Sequence, residues 1–115
     1  GKAVAVEHDG EVFSCDHFVY PEYRLGNLHQ THLGDLAFSV PQQTFGLAKR
    51  DTLPTQCRQC DYLRLCWGEC PKNRLIKSQE GEAGLNYLCS GLYRFYDHVG
   101  PDVVHLLTRM GYLQS

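Results

Sequence analysis

The sequence predicts an α+β fold, in which a small amino-terminal β-hairpin precedes a mainly helical region with a metal-binding cysteine knuckle. The hairpin is indicated by apolar alternation on both sides of a turn dipeptide within residues 3–16. Helices are indicated downstream by capping residues and by apolar positions spaced three and four apart. The knuckle is indicated by four cysteines that fall within residues 57–70.

The hairpin is predicted over residues 3–16, with Asp9-Gly10 as a two-residue type I′ turn. In that register, Phe13 and Cys15 share the apolar face of the ladder. Asp16 then turns to the opposite face, because successive side chains of a strand alternate.

The next part of the chain contains an irregular segment and a pair of short helices. Residues 17–30 mix aromatic residues with proline and glycine, so we expect irregular structure with one short extended piece. The helical pair is predicted over residues 31–50, where Thr31 can cap the first helix and Pro41 can open the second.

After the knuckle, the sequence predicts a loop and two further helices. Residues 77–84 are polar and contain two glycines, which favours a loop. Apolar residues at helical spacing predict a helix over residues 85–99, with Cys89 on its inward face. Gly100-Pro101 is expected to break the chain before a final helix over residues 101–110.

Length and composition restrict the possible classes of protein. The chain has 115 residues, 43% of them hydrophobic, which suits one small domain over residues 1–115. Eleven Lys and Arg against thirteen Asp and Glu give a net charge of −2 without a basic stripe, so no nucleic-acid partner is expected. No apolar run approaches the roughly 20 residues of a membrane span, and no signal peptide is recognisable. We therefore expect a cytoplasmic protein without a membrane partner, and the absence of a first methionine suggests a fragment of a longer chain.

The closely spaced cysteines favour metal ligation over disulfides, because disulfides within so short a segment would close very small loops. Cys57 and Cys60 form a C-x2-C grip for one metal centre. Cys66 is close enough in sequence to be a third ligand, and either Cys70 or Cys89 could be the fourth. Spacing alone does not distinguish zinc from an iron-sulfur cluster, since four thiolates suit both.

The order of all six cysteines is similar to that of a known family. Gly10 and Cys15 form G-x4-C, residues 57–70 form C-x2-C-x5-C-x3-C, and Cys89 follows. This register resembles the SPASM domain, the carboxyl-terminal auxiliary iron-sulfur domain of many radical S-adenosylmethionine enzymes. Over about residues 1–99, "SCDHFVYPEYRLGN", "FGLAKRDTLPTQCRQC", "GECPKNR" and "GLNYLC" look like the anaerobic sulfatase-maturating enzymes and the related arylsulfatase regulators.

The resemblance implies two auxiliary 4Fe-4S clusters. The ligands of a complete cluster would be Cys57, Cys60, Cys66 and Cys89. Two further cysteines, Cys15 and Cys70, match half of a second cluster, whose other ligands in the family lie upstream of the hairpin. The missing upstream barrel would bind S-adenosylmethionine and would be the partner of this domain within the parent chain.

The resemblance also implies a role in enzyme action. The parent enzyme would oxidise a Ser or Cys of a sulfatase-like peptide to formylglycine, and this domain would bind the peptide and transfer electrons. Asp16 matches the family's general base, and the neighbouring His17 could orient it. The isolated domain is expected to be inactive.

Two other hypotheses follow from the residues alone. The first is a non-enzymatic four-cysteine zinc module that scaffolds a partner, and zinc could occupy the same ligands in an isolated domain. The second is an apo or disulfide-bonded fold. Four cations flank the cysteines, and either a solvated surface or partial neutralisation of thiolate clusters would account for them; they are Arg50, Arg58, Lys72 and Arg74.

Overall fold

The computed structural model describes residues 2–114. Gly1 and Ser115, the end residues of the predicted domain, lie outside the described residues. The α+β prediction is confirmed, because strands of a hairpin come first and helices dominate the rest. Although the sequence predicts one domain, the chain divides into two compact units, an amino-terminal unit that ends at Leu53 and a carboxyl-terminal unit that begins at Pro54.

The amino-terminal unit contains a three-stranded antiparallel sheet in the order β1-β2-β3 and two helices. Proline in the first turn of the second helix removes an N–H that would have no helical partner there. These elements are β1 (Ala5–Val6), β2 (Glu11–Phe13), β3 (Arg24–Asn27), α1 (Leu33–Ala37) and α2 (Val40–Asp51).

The predicted two-residue turn of the hairpin is wrong. The backbone N–H of Glu7 donates to the carbonyl of Glu11 at 2.8 Å, so three residues lie between the paired positions. Gly10 takes a left-handed φ of 85°, and a three-residue loop needs only that one position to be left-handed. Consequently Val6 pairs with Val12, one residue away from the predicted register.

A register shift of one residue exchanges the two faces of a strand, and the predicted apolar face is therefore also wrong. The buried side chains are Val12 and Ser14, whereas Phe13 is half-buried. The strand ends at Phe13, so its alternation does not extend to Cys15 and Asp16. Their side chains meet instead of facing apart, because the Cys15 thiol donates to the Asp16 carboxylate at 3.2 Å.

A buried amide ties α2 to the segment that follows β2. Gln42 is only 1% exposed, and its Nε2 donates to the carbonyl of Ser14 at 3.1 Å. The apolar core around it comes from Val12, Leu36 and Leu53. This packing holds the backbone immediately before Cys15.

The first helix of the pair is capped one residue later than expected. The side chain of His32, and not that of Thr31, accepts the backbone N–H of Gly34 at 3.0 Å. An imidazole nitrogen can serve as a cap acceptor in the same way as a side-chain oxygen. Ser39 caps α2 by accepting the N–H of Gln42.

The carboxyl-terminal unit contains short helices, a second hairpin and one long helix. The hairpin strands β4 and β5 are antiparallel, although the sequence predicts a loop and a helix over residues 77–85. A loop with a left-handed glycine, Gly81 at φ 85°, closes this hairpin. The elements are α3 (Thr55–Arg58), α4 (Leu63–Cys66), β4 (Ile76–Lys77), β5 (Ala83–Leu85) and α5 (Cys89–Arg109).

The two predicted carboxyl-terminal helices, 85–99 and 101–110, are a single helix. α5 begins at Cys89 and continues through Gly100-Pro101 to Arg109. Proline removes one backbone hydrogen bond from a helix without necessarily ending it. Among residues 2–114, no helix combines the length and the apolar character needed to cross a membrane.

An ion pair joins β2 to β3. The Glu11 carboxylate accepts hydrogen bonds from the Arg24 guanidinium and, at 2.9 Å, from Asn27 Nδ2. The hydrogen bond from Arg24 is the main reason why the pKa of Glu11 falls to about 2. A carboxyl whose pKa is lowered by folding stabilises the fold above its unfolded pKa and loses that contribution as the pH falls toward its folded pKa.

We predict that Glu11→Gln flattens the acid dependence of stability. The wild type should lose part of its free energy of unfolding as the pH falls from about 4.5 toward about 2, and the variant should lose less over the same interval. Urea unfolding at a series of pH values measures both. Glu7→Gln, on the same hairpin, is the matched control and should follow the wild type. Identical slopes for wild type and Glu11→Gln would contradict the prediction.

Candidate metal centre

Four cysteines of the carboxyl-terminal unit line one cavity of about 220 Å³. These are Cys57, Cys60, Cys66 and Cys89. The remaining wall is largely aromatic and aliphatic, with Tyr62, Leu92, Tyr93 and Tyr96. Four soft sulfur donors in one partly enclosed space are a ligand set for zinc or for an iron-sulfur cluster.

Two short helices, the turn between them and the start of a long helix provide these four cysteines. Cys57 lies within α3, and the chain then turns so that the backbone N–H of Tyr62 donates to the sulfur of Cys60 at 3.4 Å. Cys66 is the last residue of α4. Cys89 is the first residue of the 21-residue α5, where the positive end of the helix dipole favours an anionic ligand.

The electrostatics of the cavity favour protonated thiols in the absence of metal. Burial is the main cause that raises the pKa of Cys57, Cys66 and Cys89. Negative charge on neighbouring sulfurs raises the pKa of Cys57 and Cys89 further. A bound cation would replace these protons, since metals bind cysteine as the thiolate.

A left-handed loop follows Cys66. Trp67, Gly68 and Glu69 have φ values of 47°, 70° and 52°, so three consecutive residues are left-handed. The backbone N–H of Glu69 donates to the Cys66 carbonyl at 2.8 Å. The backbone N–H groups of Gly68 and Glu69 lower the pKa of the Cys66 thiol, against the larger effect of burial. Both N–H groups therefore favour the anionic form of the Cys66 sulfur.

Two side chains hold the carbonyl groups of this loop. Arg74 donates from Nη2 to the carbonyls of Trp67 and Glu69, at 3.0 and 3.1 Å, and from Nε to that of Gly68 at 3.2 Å. Asn86, which is 2% exposed, donates from Nδ2 to the same Gly68 carbonyl at 3.3 Å. Its Oδ1 accepts the N–H of Leu88 at 2.9 Å, one residue before α5 begins. Asn86 thus connects the loop after Cys66 to the helix that starts with Cys89.

Tyrosines close one side of the cavity. The ring of Tyr62 lies 4.9 Å from that of Tyr93 and 5.9 Å from that of Tyr96, measured between centroids. The Tyr62 hydroxyl donates to Asp97 at 2.8 Å, and this bond is the main cause that raises the pKa of Tyr62 to about 12. These tyrosines are not among the site residues predicted from the sequence. Their proximity to cysteines 60, 66 and 89 in the sequence was the available signal.

The size of the cavity suits a polynuclear group. On the same scale a single water needs about 10–15 Å³, so 220 Å³ is many times the room that one small ion requires. Within residues 2–114, no group of three or more His, Cys, Asp or Glu side chains is arranged to hold a metal ion. The four cysteines that line the cavity would provide one thiolate for each iron of a 4Fe-4S cluster.

The remaining predicted site residues lie elsewhere. Cys70 precedes a 3₁₀ turn at Pro71–Asn73 and is not part of the cavity lining. Cys15 belongs to the amino-terminal unit. That these two cysteines serve a second cluster stays a prediction. No disulfide forms among the six cysteines, all of which lie in the described part of the chain.

The predicted catalytic residue is fully accessible. The side chain of Asp16 is 81% exposed, and its Oδ2 lies 3.9 Å from Nε2 of His17. The hydrogen bond from Cys15, followed by the charge of His17, holds the pKa of Asp16 below its usual range. Asp16 is therefore a carboxylate near neutral pH, in the form that can accept a proton.

Comparison with known sequences identifies a domain in this chain. Residues 1–61 match the SPASM family, described as "Iron-sulfur cluster-binding domain". A "Serine-type anaerobic sulfatase-maturating enzyme" from Bacteroides thetaiotaomicron is 52% identical over 101 residues, which are 88% of this chain and 24% of that protein. A "Cysteine-type anaerobic sulfatase-maturating enzyme" from Clostridium perfringens is 28% identical over 101 residues, or 88% of this chain and 27% of that protein.

Solved structures are similar over nearly the whole chain. The structure described as "Native anSMEcpe with bound AdoMet and Cp18Cys peptide" matches with a TM-score of 0.75 and 27% identity, over 93% of this chain and 29% of that one. "Native anSMEcpe with bound AdoMet" matches with a TM-score of 0.74 and 26% identity, over 93% and 29% of the two chains. The chain spans about a quarter of the length of the relatives that it matches.

We predict that Asn86→Ala lowers the free energy of unfolding by about 1–3 kcal/mol, because it removes the buried partner of the Leu88 N–H and one donor to the Gly68 carbonyl. Asn86→Asp keeps an acceptor for Leu88 and should lose less. Denaturant unfolding measures both variants. Gln79→Ala removes an exposed amide of the same unit and serves as the control. An Asn86→Ala variant as stable as this control would contradict the proposed connection.

Proposed function

Since this chain belongs to the SPASM family of iron-sulfur cluster-binding domains, we propose that its four cavity-lining cysteines hold one 4Fe-4S cluster. The observation that carries this proposal is the shared cavity of Cys57, Cys60, Cys66 and Cys89. Its volume and its all-sulfur ligand set support a cluster. The tyrosine and leucine side chains would limit the access of water along their part of the wall, which also contains Gln56, Gln59 and Asp61.

The residues around the cavity have defined tasks in this proposal. The N–H groups of Gly68 and Glu69, with the start of α5, offset the negative charge of the ligand sulfurs. Asn86 connects the loop after Cys66 to the start of α5 through its two hydrogen bonds. When bound, the cluster supplies one-electron transfer.

We further propose that this domain is part of a radical S-adenosylmethionine enzyme that oxidises a Ser or Cys of a sulfatase-like peptide to formylglycine. The names of the relatives and the bound AdoMet and peptide in the similar structures support this proposal. The partners would be the barrel that binds S-adenosylmethionine in the same natural chain and the peptide substrate. Cys15 and Cys70 would be ligands of a second cluster, with two further ligands from that chain.

Asp16 is the proposed general base of the reaction. Its exposure leaves the carboxylate accessible to a peptide, and an exposed aspartate is ionised near neutral pH. It would take the proton from the hydroxyl or thiol of the target side chain while a hydrogen is removed from the adjacent carbon. His17, 3.9 Å away, would orient the carboxylate.

A zinc scaffold is the less favoured function. One zinc ion needs its four thiolates at about 2.3 Å from a single point, whereas the cavity that these cysteines help to line has a volume of about 220 Å³. The membership of an iron-sulfur family also favours the cluster. Six cysteines without a disulfide suit a reducing compartment, so we propose a cytoplasmic location.

We predict that the full natural chain, purified without oxygen, is brown and contains iron and sulfide. Cys57→Ala and Cys89→Ala should each lower the iron content by about four atoms per chain, because each removes a ligand of one 4Fe-4S cluster. Metal and sulfide analysis measures the loss. Ser90→Ala, beside Cys89 on α5, is the control and should keep its iron. A colourless wild-type protein with one zinc per chain would refute the cluster and support the scaffold.

We predict that Asp16→Asn lowers the turnover of a Ser- or Cys-containing sulfatase peptide by about 10²–10⁴-fold, because the amide cannot accept the proton. Formylglycine formation by the full natural chain is measured by mass spectrometry. Iron content and peptide affinity should remain those of the wild type. Asp35→Asn, which changes a carboxylate of α1 in the same unit, should retain activity. Full activity of Asp16→Asn would exclude the aspartate as the base.

A further inference from the structure

Arg74 has one donor that the fold leaves unused. Its Nε and Nη2 atoms donate to the three carbonyls of the loop at Trp67, Gly68 and Glu69. Its Nη1 atom is buried and has no hydrogen-bond partner within residues 2–114. A buried, unpaired donor on a charged group is unfavourable unless a further acceptor completes the site.

The environment of Arg74 indicates which acceptor is missing. Burial lowers the pKa of Arg74, and negative charge on the sulfurs of Cys57, Cys66 and Cys70 acts in the opposite direction. Its hydrogen bonds to the three loop carbonyls hold the guanidinium at the segment that joins Cys66 to Cys70. Protonated thiols would leave this cation without a counter-charge, whereas thiolates bound to metal would provide one.

We propose that Arg74 is a positioning residue that holds the left-handed loop against Cys66 and supplies a positive charge and an N–H donor to the thiolate ligands of the bound cluster. This proposal rests on the proposed cluster site. It adds to that site a residue that sets the redox potential. Its carbonyl contacts hold the loop that directly follows Cys66, and its charge favours the more negative, reduced state of the cluster.

Two substitutions separate the loop contacts from the charge. Arg74→Gln removes the positive charge and the planar set of N–H donors of the guanidinium. Arg74→Lys retains the charge but cannot donate to three carbonyls in the fixed geometry of a guanidinium. Arg94→Gln removes an exposed cation of α5 and is the matched control.

The test uses the full natural chain with its iron-sulfur centres, prepared without oxygen. Redox titration followed by electron paramagnetic resonance gives the midpoint potentials, and the loss of visible absorbance in the presence of an iron chelator gives the rate of cluster loss. Arg74→Gln should shift a midpoint potential to a more negative value and should lose its cluster faster. Arg74→Lys should keep a potential near that of the wild type while losing its cluster faster. Arg94→Gln should match the wild type in both measurements.

Every outcome either supports or overturns the role proposed for Arg74. Wild-type potentials in an Arg74→Gln protein that contains its full iron and sulfide would overturn it. If Arg74→Gln does not retain the cluster, Arg74→Lys decides: faster cluster loss supports the proposal, and wild-type behaviour overturns it. A wild-type protein that lacks iron and sulfide altogether would refute the proposed cluster and is thereby distinguishable from a failure of Arg74 alone.

Discussion

The structure of the carboxyl-terminal unit depends on the convergence of four thiols on one cavity. Within residues 54–114, Leu85 is the only Val, Leu, Ile, Met, Cys or aromatic residue with a buried side chain. Hydrophobic packing at this scale contributes little to stability, since each fully buried aliphatic side chain contributes about 1.5–3 kcal/mol. Sulfur–metal bonds that link α3, α4 and α5 would supply the missing cross-links, and metal binding then becomes part of the folding free energy.

The loop of residues 67–69, which follows Cys66, has a strained backbone conformation. Left-handed conformations cost about 1–2 kcal/mol for residues other than glycine, and both Trp67 and Glu69 adopt them. Arg74 and Asn86 offset this strain by binding the loop carbonyls. The strained residues directly follow Cys66, so the strain lies next to a cysteine that would bind metal as an anion.

Local patterns in the sequence predicted the type of a secondary-structure element reliably, but they predicted its first and last residues less well. The amino-terminal hairpin exists, but one additional loop residue exchanges its faces and buries Val12 in place of Phe13. α5 continues through Pro101 because its remaining hydrogen bonds suffice. The short hairpin of β4 and β5 has strands of two and three residues, too short to give a recognisable alternation.

By itself, the sequence determined the number of thiols, the C-x2-C grip of Cys57 and Cys60, and the register by which the family is recognised. The spacing of the cysteines alone left open whether Cys70 or Cys89 is the fourth ligand of this centre. Only the tertiary structure decided that Cys89 lines the cavity and that Arg74, among four flanking cations, holds the loop. The reason is physical: sequence spacing limits which neighbours can share a centre, whereas the direction of a distant side chain depends on how the hairpin and α5 fold back.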